Sequence, residues 1–186
     1  GVIVPALSVT DPSCNGYNNG SVTVSATGGT PAFTFSWDNS AFTAATTYSS
    51  LTAGTDSVII KDANGCLHDT VFTIQQPSKI TFAGIVPTNI SCFNGGDGTV
   101  TVTATGATPP YMYATNGSAW QTGNMFTGLS AGIITVQVKD NNGCEADTAV
   151  TLTQPPLLVI AGADTVNAIG EGCRGGSVTL RVARRA

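Results

Sequence analysis

Charge is scarce in this chain of 186 residues. Asp, Glu, Lys and Arg make up 10% of it, and the formal net charge is −4. Seven residues are Lys or Arg, and four of these (Arg174, Arg181, Arg184 and Arg185) fall in the last thirteen positions. A nucleic-acid face needs clustered basic side chains, and an Arg-Arg pair near one end does not supply it. Leu, Glu and Lys are sparse, whereas Gly, Thr, Ser, Val and Asn abound. That balance disfavours helix and favours many short strands joined by turns. No long unbroken apolar run occurs, so no helical membrane span is expected. No basic segment leading into an apolar one opens the chain at Gly1, so no signal peptide is read there.

Catalytic equipment is equally thin. The single histidine, His68, stands beside Asp69. The chain repeats itself, and the counterpart of His68 in the second copy is Ala146. A lone histidine at a strand start is better read as structural than as an acid or base. No pair of carboxylates recurs as an acid/base couple, and no Gly-rich loop leads from a strand into a helix. The chain is therefore expected not to be an enzyme.

The internal repeat is what the chain does have. Lys61-Asp62-Ala63-Asn64-Gly65-Cys66 returns as Lys139-Asp140-Asn141-Asn142-Gly143-Cys144, at an offset of 144 − 66 = 78. Cys14 and Cys92 keep the same offset, as do Pro77 and Pro155. Periodicity of this kind outranks length as a guide to architecture. Residues 1–6 read as the tail of a preceding linker, 7–78 and 79–156 as two repeats, and 157–186 as the truncated start of a third unit. Cys173 misses the offset from Cys92 by three places, so that third unit follows a different pattern. Because it stops partway, the chain is expected to be a segment of a longer protein.

The cysteines sharpen this picture. The two in each full repeat are equally spaced, since 66 − 14 and 144 − 92 are both 52. The spacing suggests intra-repeat disulfides, Cys14–Cys66 and Cys92–Cys144, in an oxidising, extracellular compartment. A closed loop of that length contributes roughly 4 kcal/mol on a chain-entropy argument.

Each repeat reads as a run of short strands. Ser21–Thr27 and Thr99–Thr105 alternate apolar and polar residues, the mark of a strand with one buried face. Phe33, Phe35 and Trp37 alternate, answered by Tyr111 and Tyr113. Val58–Lys61 and Val136–Lys139 lead to Asn-Gly pairs, which favour tight hairpins with both central residues at positive φ. Asp69–Ile74 and Asp147–Leu152 close the units, and the prolines beyond them read as short, stiff linkers. Six or seven short strands in each repeat, with turns this frequent, imply an all-β chain of tandem immunoglobulin-like β-sandwiches, each with one disulfide.

The order of motifs is recognisable. A Cys-bearing Gly-rich loop is followed by Gly-[Ser/Thr]-Val-Thr-Val and Gly-x-Thr-Pro. Then come aromatic-x-aromatic, Leu-[Thr/Ser]-Ala-Gly, Lys-Asp-x-Asn-Gly-Cys and Gln-Pro. This resembles the SprB repeat, a building block of very large cell-surface adhesins in gliding Bacteroidota. In the first repeat the resemblance rests on Cys14, Gly20, Val22, Pro31, Phe33, Phe35, Leu51, Gly54, Asp62, Asn64, Gly65, Cys66 and Pro77, and in the second on their counterparts at the repeat offset. It implies surface display after type IX secretion and a part in adhesion or gliding motility. The partners implied are neighbouring repeats, surface glycans or outer-membrane motility proteins. No enzymatic activity comes with it. Competing readings are a carbohydrate-binding accessory module of a secreted protein and a subunit of an extracellular filament.

Three kinds of site merit weighing. Calcium takes six to eight oxygens, and Asp11, Asp62, Asp97 and Asp140 sit in or near the cysteine loops and hairpins. Asx residues in such places more often shape turns, so no cofactor is expected. Sugar could stack on aromatics; Phe33, Phe35, Tyr111 and Tyr113 keep strand period and read as core, whereas Trp37, Phe42 and Trp120 are less tied to that face. Asp-[Ser/Thr]-apolar resembles the O-glycosylation motif of Bacteroidota, making Ser57, Thr70, Thr148 and Thr165 candidate acceptors.

Overall fold

A computed structural model describes residues 1–157. The third unit, with Cys173, Thr165 and the arginines near the end, lies outside the described residues. The chain resolves into two compact units. The first comprises Gly1–Thr81 together with Thr105–Tyr111 and Lys139–Ala146; Phe82–Ala104 and Met112–Val138 belong to the second, with the described residues from Asp147 onward.

The described residues form twelve strands and no helix. Six lie in the first repeat: β1 Val4–Thr10, β2 Gly20–Thr27, β3 Thr34–Trp37, β4 Thr47–Leu51, β5 Gly54–Lys61 and β6 Leu67–Ile74. They make two three-stranded sheets, ordered β1-β2-β4 and β3-β5-β6. In immunoglobulin terms these are strands A-B-E facing C-F-G, the sandwich with its D strand missing. The second repeat has β7 Thr81–Thr88, β8 Gly98–Thr105, β9 Met112–Thr115, β10 Met125–Leu129, β11 Gly132–Lys139 and β12 Glu145–Leu152. Its sheets follow the same order, β7-β8-β10 and β9-β11-β12.

Period-two alternation builds the core. Val22 and Val24 on β2 are buried against Val58 and Ile60 on β5 and Phe72 and Ile74 on β6. Trp37 belongs to the same core. It stacks on Tyr48 with ring centroids 5.2 Å apart and meets Phe72 edge-on. The tryptophan that sequence left loosely placed is thus 4% exposed and no sugar platform. Val100, Val102, Val136, Val138 and Leu152 repeat the pattern in the second copy.

The first few residues differ from expectation. Residues 3–6 are no linker tail: Val4, Pro5 and Ala6 pair with Thr27, Ala26 and Ser25, and Ile3 joins the core. A strand of mixed polarity at a sheet edge carries little alternation to announce it.

The core assignment is directly testable. Ile60→Ala removes a side chain with no exposed surface and is expected to cost about 2–5 kcal/mol. Ile133→Ala, at a position 71% exposed, is expected to change stability by about 0.5 kcal/mol or less. Equilibrium denaturant unfolding measures both; equal losses would contradict the assignment.

Candidate functional site

Each copy has a cysteine at two places, and they lie at opposite ends of one strand. The loop carrying Cys14 is fastened to the chain just beyond β6. Gly16 N–H donates to Gln76 Oε1 at 2.6 Å, Asn15 Nδ2 to the Pro77 carbonyl at 3.0 Å, and Gln75 N–H to Asp11 Oδ1 at 2.8 Å. Cys66 sits at the other end, just before Leu67 opens β6. Eight extended residues span roughly 26 Å, whereas bridged cysteines need Cα atoms within about 7 Å.

The expected pairing is therefore corrected. Cys14 bonds Cys144, at a sequence separation of 130, with Cα atoms 5.6 Å apart. Cys66 is free and exposed. The Cys92–Cys144 pairing fails as well, since Cys144 is taken and Cys92 is itself disulfide-bonded. The same geometry explains this. Asn94 N–H donates to Gln154 Oε1, which lies beyond β12, while Cys144 stands before it. The segments Thr105–Tyr111 and Lys139–Ala146 belong to the first compact unit, and this disulfide lies wholly inside that unit.

The hairpin that presents each second cysteine is shaped by a buried carboxylate. Asp62 Oδ1 accepts the N–H of Asn64 at 3.0 Å and of Cys66 at 2.8 Å, and Oδ2 accepts the N–H of Thr30 at 3.0 Å. Asp140 repeats this with Asn142 at 2.9 Å, Cys144 at 2.8 Å and Thr108 at 3.0 Å. Both aspartates are 4% exposed. The Thr30 amide foremost holds the Asp62 carboxyl below its ordinary value; burial opposes it, and the Cys66 and Asn64 amides add to the lowering.

The turn differs from the tight hairpin expected. Gly65 N–H bonds the Asp62 carbonyl and Asp62 N–H bonds the Cys66 carbonyl. Only the glycine takes positive φ, 85° at Gly65 and 82° at Gly143. The loop is a type I turn closed by a glycine bulge. The asparagine serves elsewhere: Asn64 Nδ2 donates to Thr30 Oγ1 and Asn142 Nδ2 to Thr108 Oγ1.

The four aspartates weighed for calcium are thus all engaged by protein donors. At the loop end, charge is not even required. Asp11 accepts from Gln75 N–H as Asn89 accepts from Thr153 N–H, and Asn19 takes the Ser13 N–H as Asp97 takes that of Ser91. Among the described residues no three His, Cys, Asp or Glu side chains gather as metal ligands.

The remaining candidates are spread over the strands. Thr70 and Thr148 are half-buried and share the inward phase of Phe72 and Leu152; Ser57 is half-buried on β5. His68 is half-buried on β6, opposite Ile60. The Phe42 ring lies under Lys61 Nζ at 4.3 Å, and Trp120 is half-buried. Beside the disulfide, Tyr17, Lys79 and Glu145 line a small pocket. Gln76, Gln154, Thr30 and Thr108 stand in the repeat motifs of the sequence, but their part as hydrogen-bond partners, the same in each copy, shows only in the fold.

The carboxylate clasp makes a pH prediction. Because the folded pKa of Asp62 is depressed, its stabilisation is present above the unfolded value of about 4 and is lost as pH falls through the folded value. Asp62→Asn places an amide NH2 where an oxygen now accepts a backbone N–H. It is expected to lower the unfolding midpoint at neutral pH and flatten the acid dependence. Asp11→Asn is expected to stay within about 0.5 kcal/mol of the native chain, since Asn89 already does that work. Thermal unfolding from pH 7 to pH 3 checks all three chains; an Asp62→Asn variant as stable as the native chain would refute the role.

Comparison with known proteins places this geometry. The sequence profile of the SprB repeat matches residues 6–42 and 84–119, one match in each copy. No curated protein sequence matches the chain. Among solved structures, the chain is similar to the three N-terminal domains of the Highly Immunogenic Outer Capsid protein (Hoc) of bacteriophage RB49. The identity is 15% and the TM-score 0.50, over 82% of this chain and 59% of that one. It is also similar to a C-terminal 282-residue fragment of intimin in complex with the translocated intimin receptor's intimin-binding domain. There the identity is 14% and the TM-score 0.42, over 82% of this chain and 64% of the fragment. The chain thus spans less than two thirds of either structure. At such identity the Hoc likeness concerns fold alone.

Proposed function

We propose that this chain, which carries two copies of the SprB repeat, is a structural and adhesive segment of a larger protein displayed outside the cell. The observation that carries the reading is the pair of profile matches, falling in register with the internal repeat. The Cys14–Cys144 bond supports an oxidising compartment. No helix among the described residues is long and apolar enough to cross a membrane.

In this role the chain works mechanically rather than chemically. Each sandwich resists extension through two hydrogen-bonded sheets closed over a valine-rich core. The disulfide adds a covalent tie between residues 14 and 144 that strand separation alone cannot release. The finer role we propose is that of the SprB-type adhesins: a stalk that holds a binding region away from the cell during adhesion or gliding, exported by type IX secretion. Surface glycans or outer-membrane motility proteins would then be partners of the whole protein, and the segment has no enzymatic activity of its own.

Antibody raised against the purified chain is expected to label intact producing cells, with signal lost on mild protease shaving. Labelling only after permeabilisation would overturn the surface role. In a parallel arm, binding of the purified chain to a glycan array that is lost in Trp120→Ala would convert the reading to a sugar-binding module.

A further inference from the structure

The two closing hairpins are built alike but finished differently. Around Asp62 and Asp140 the backbone and side-chain hydrogen bonds agree donor for donor. Yet Cys144 is 8% exposed and bonded, while Cys66 is exposed and free. What finishes the second hairpin is the Ser13–Cys14 loop. Besides the disulfide, the Ser13 carbonyl accepts a hydrogen bond from Asn142 Nδ2 at 3.2 Å. Asn64, the counterpart of Asn142, keeps its Thr30 bond and remains exposed. Leu67, beside Cys66, is 63% exposed.

The cysteine loops match in the same way. Ser13 N–H bonds Asn19 as Ser91 N–H bonds Asp97. Gly16 and Asn94 N–H bond Gln76 and Gln154. Cys14 is bonded forward in sequence to Cys144. In this bond the polarity is from a loop cysteine to the hairpin cysteine one period downstream of its own repeat's hairpin.

We infer that the Asp62–Leu67 hairpin is a preformed docking face for the Ser-Cys loop of another SprB-type repeat placed one period upstream, with Cys66 closing the bond. The free amide hydrogen of Asn64 takes the serine carbonyl of the incoming loop, as Asn142 does for Ser13. Successive copies are then interlocked covalently rather than stapled singly. In the closing step the Cys66 thiol and the loop thiol each lose a proton and an electron. A disulfide oxidant, of the glutathione or oxidoreductase class, is reduced to two thiols. The inference needs only the internal repeat and is independent of where the protein resides.

Two experiments test it. In the first, the chain is extended at its N-terminus by a further copy of residues 1–78 and expressed under oxidising conditions. The added copy carries Cys66→Ser, so that one Cys66 remains, and a Tyr17→Phe mass mark. Peptide mapping without reduction is expected to link Cys66 to the marked loop and to find it protected from alkylation. Cys66 left alkylatable, or joined to the unmarked Cys14, overturns the inference.

The second uses the unextended chain and so does not depend on the fusion folding. A peptide of residues 8–17, its cysteine activated as a 2-thiopyridyl disulfide, is offered to Cys66. The Cys66 thiolate attacks the peptide sulfur and 2-thiopyridone leaves, giving a readable absorbance. Docking is expected to make this about tenfold faster than for a scrambled peptide, with the advantage reduced in Asn64→Ala. Equal rates for the two peptides overturn the inference.

Discussion

A carboxylate with three backbone amides on it holds each closing hairpin in shape. Asp62 and Asp140 are buried carboxyl groups, an arrangement stable only while every oxygen is matched to a donor. Thr30 and Thr108 supply one N–H each from the loop before β3 and β9; the turn and the cysteine supply the others. The carboxylate therefore fixes three things together: the turn, its attachment to the neighbouring loop, and the direction in which the cysteine is presented. The cysteine's reach depends on this clasp more than on the disulfide, which only uses it.

The two ends of a repeat obey different rules. At the hairpin end two oxygens of one side chain must both accept, so aspartate occupies both copies. At the loop end one accepting oxygen suffices, and Asp and Asn exchange freely: Asp11 with Asn89, Asn19 with Asp97. This contrast bears on calcium more than the absence of a ligand cluster among the described residues does. A cation site would call on carboxylate charge, and the loop positions do without it.

Between the ends lies a plain sandwich. Its strands are short and its core is largely valine and isoleucine, with Trp37, Tyr48 and Phe72 as an aromatic cluster in the first copy. In the second copy Thr115 stands at the tryptophan's place, and Tyr113 and Ala114 are buried beside it. The architecture tolerates that exchange because sheet pairing and β-branched packing carry the fold. A scaffold of this kind suits repetition, and it offers its few special side chains at the ends, where copies follow one another along the chain.

Much of this was legible in the sequence for a physical reason: strand alternation and turn chemistry are local. Period two in Ser21–Thr27 and Thr99–Thr105 located β2 and β8, and the constant offset between matching motifs located the copies. Edge strand β1 was missed at its start, because a half-exposed edge carries no clean alternation. The Asn-Gly pair correctly marked a hairpin but not its type, since the buried carboxylate selects a type I turn. Cysteine pairing was the part that sequence could not decide. Equal spacing within each repeat is equally consistent with bonding inside a copy or onward to the next. Only the extended course of β6 and β12, which sets the two cysteines of one copy a full strand apart, chooses between them.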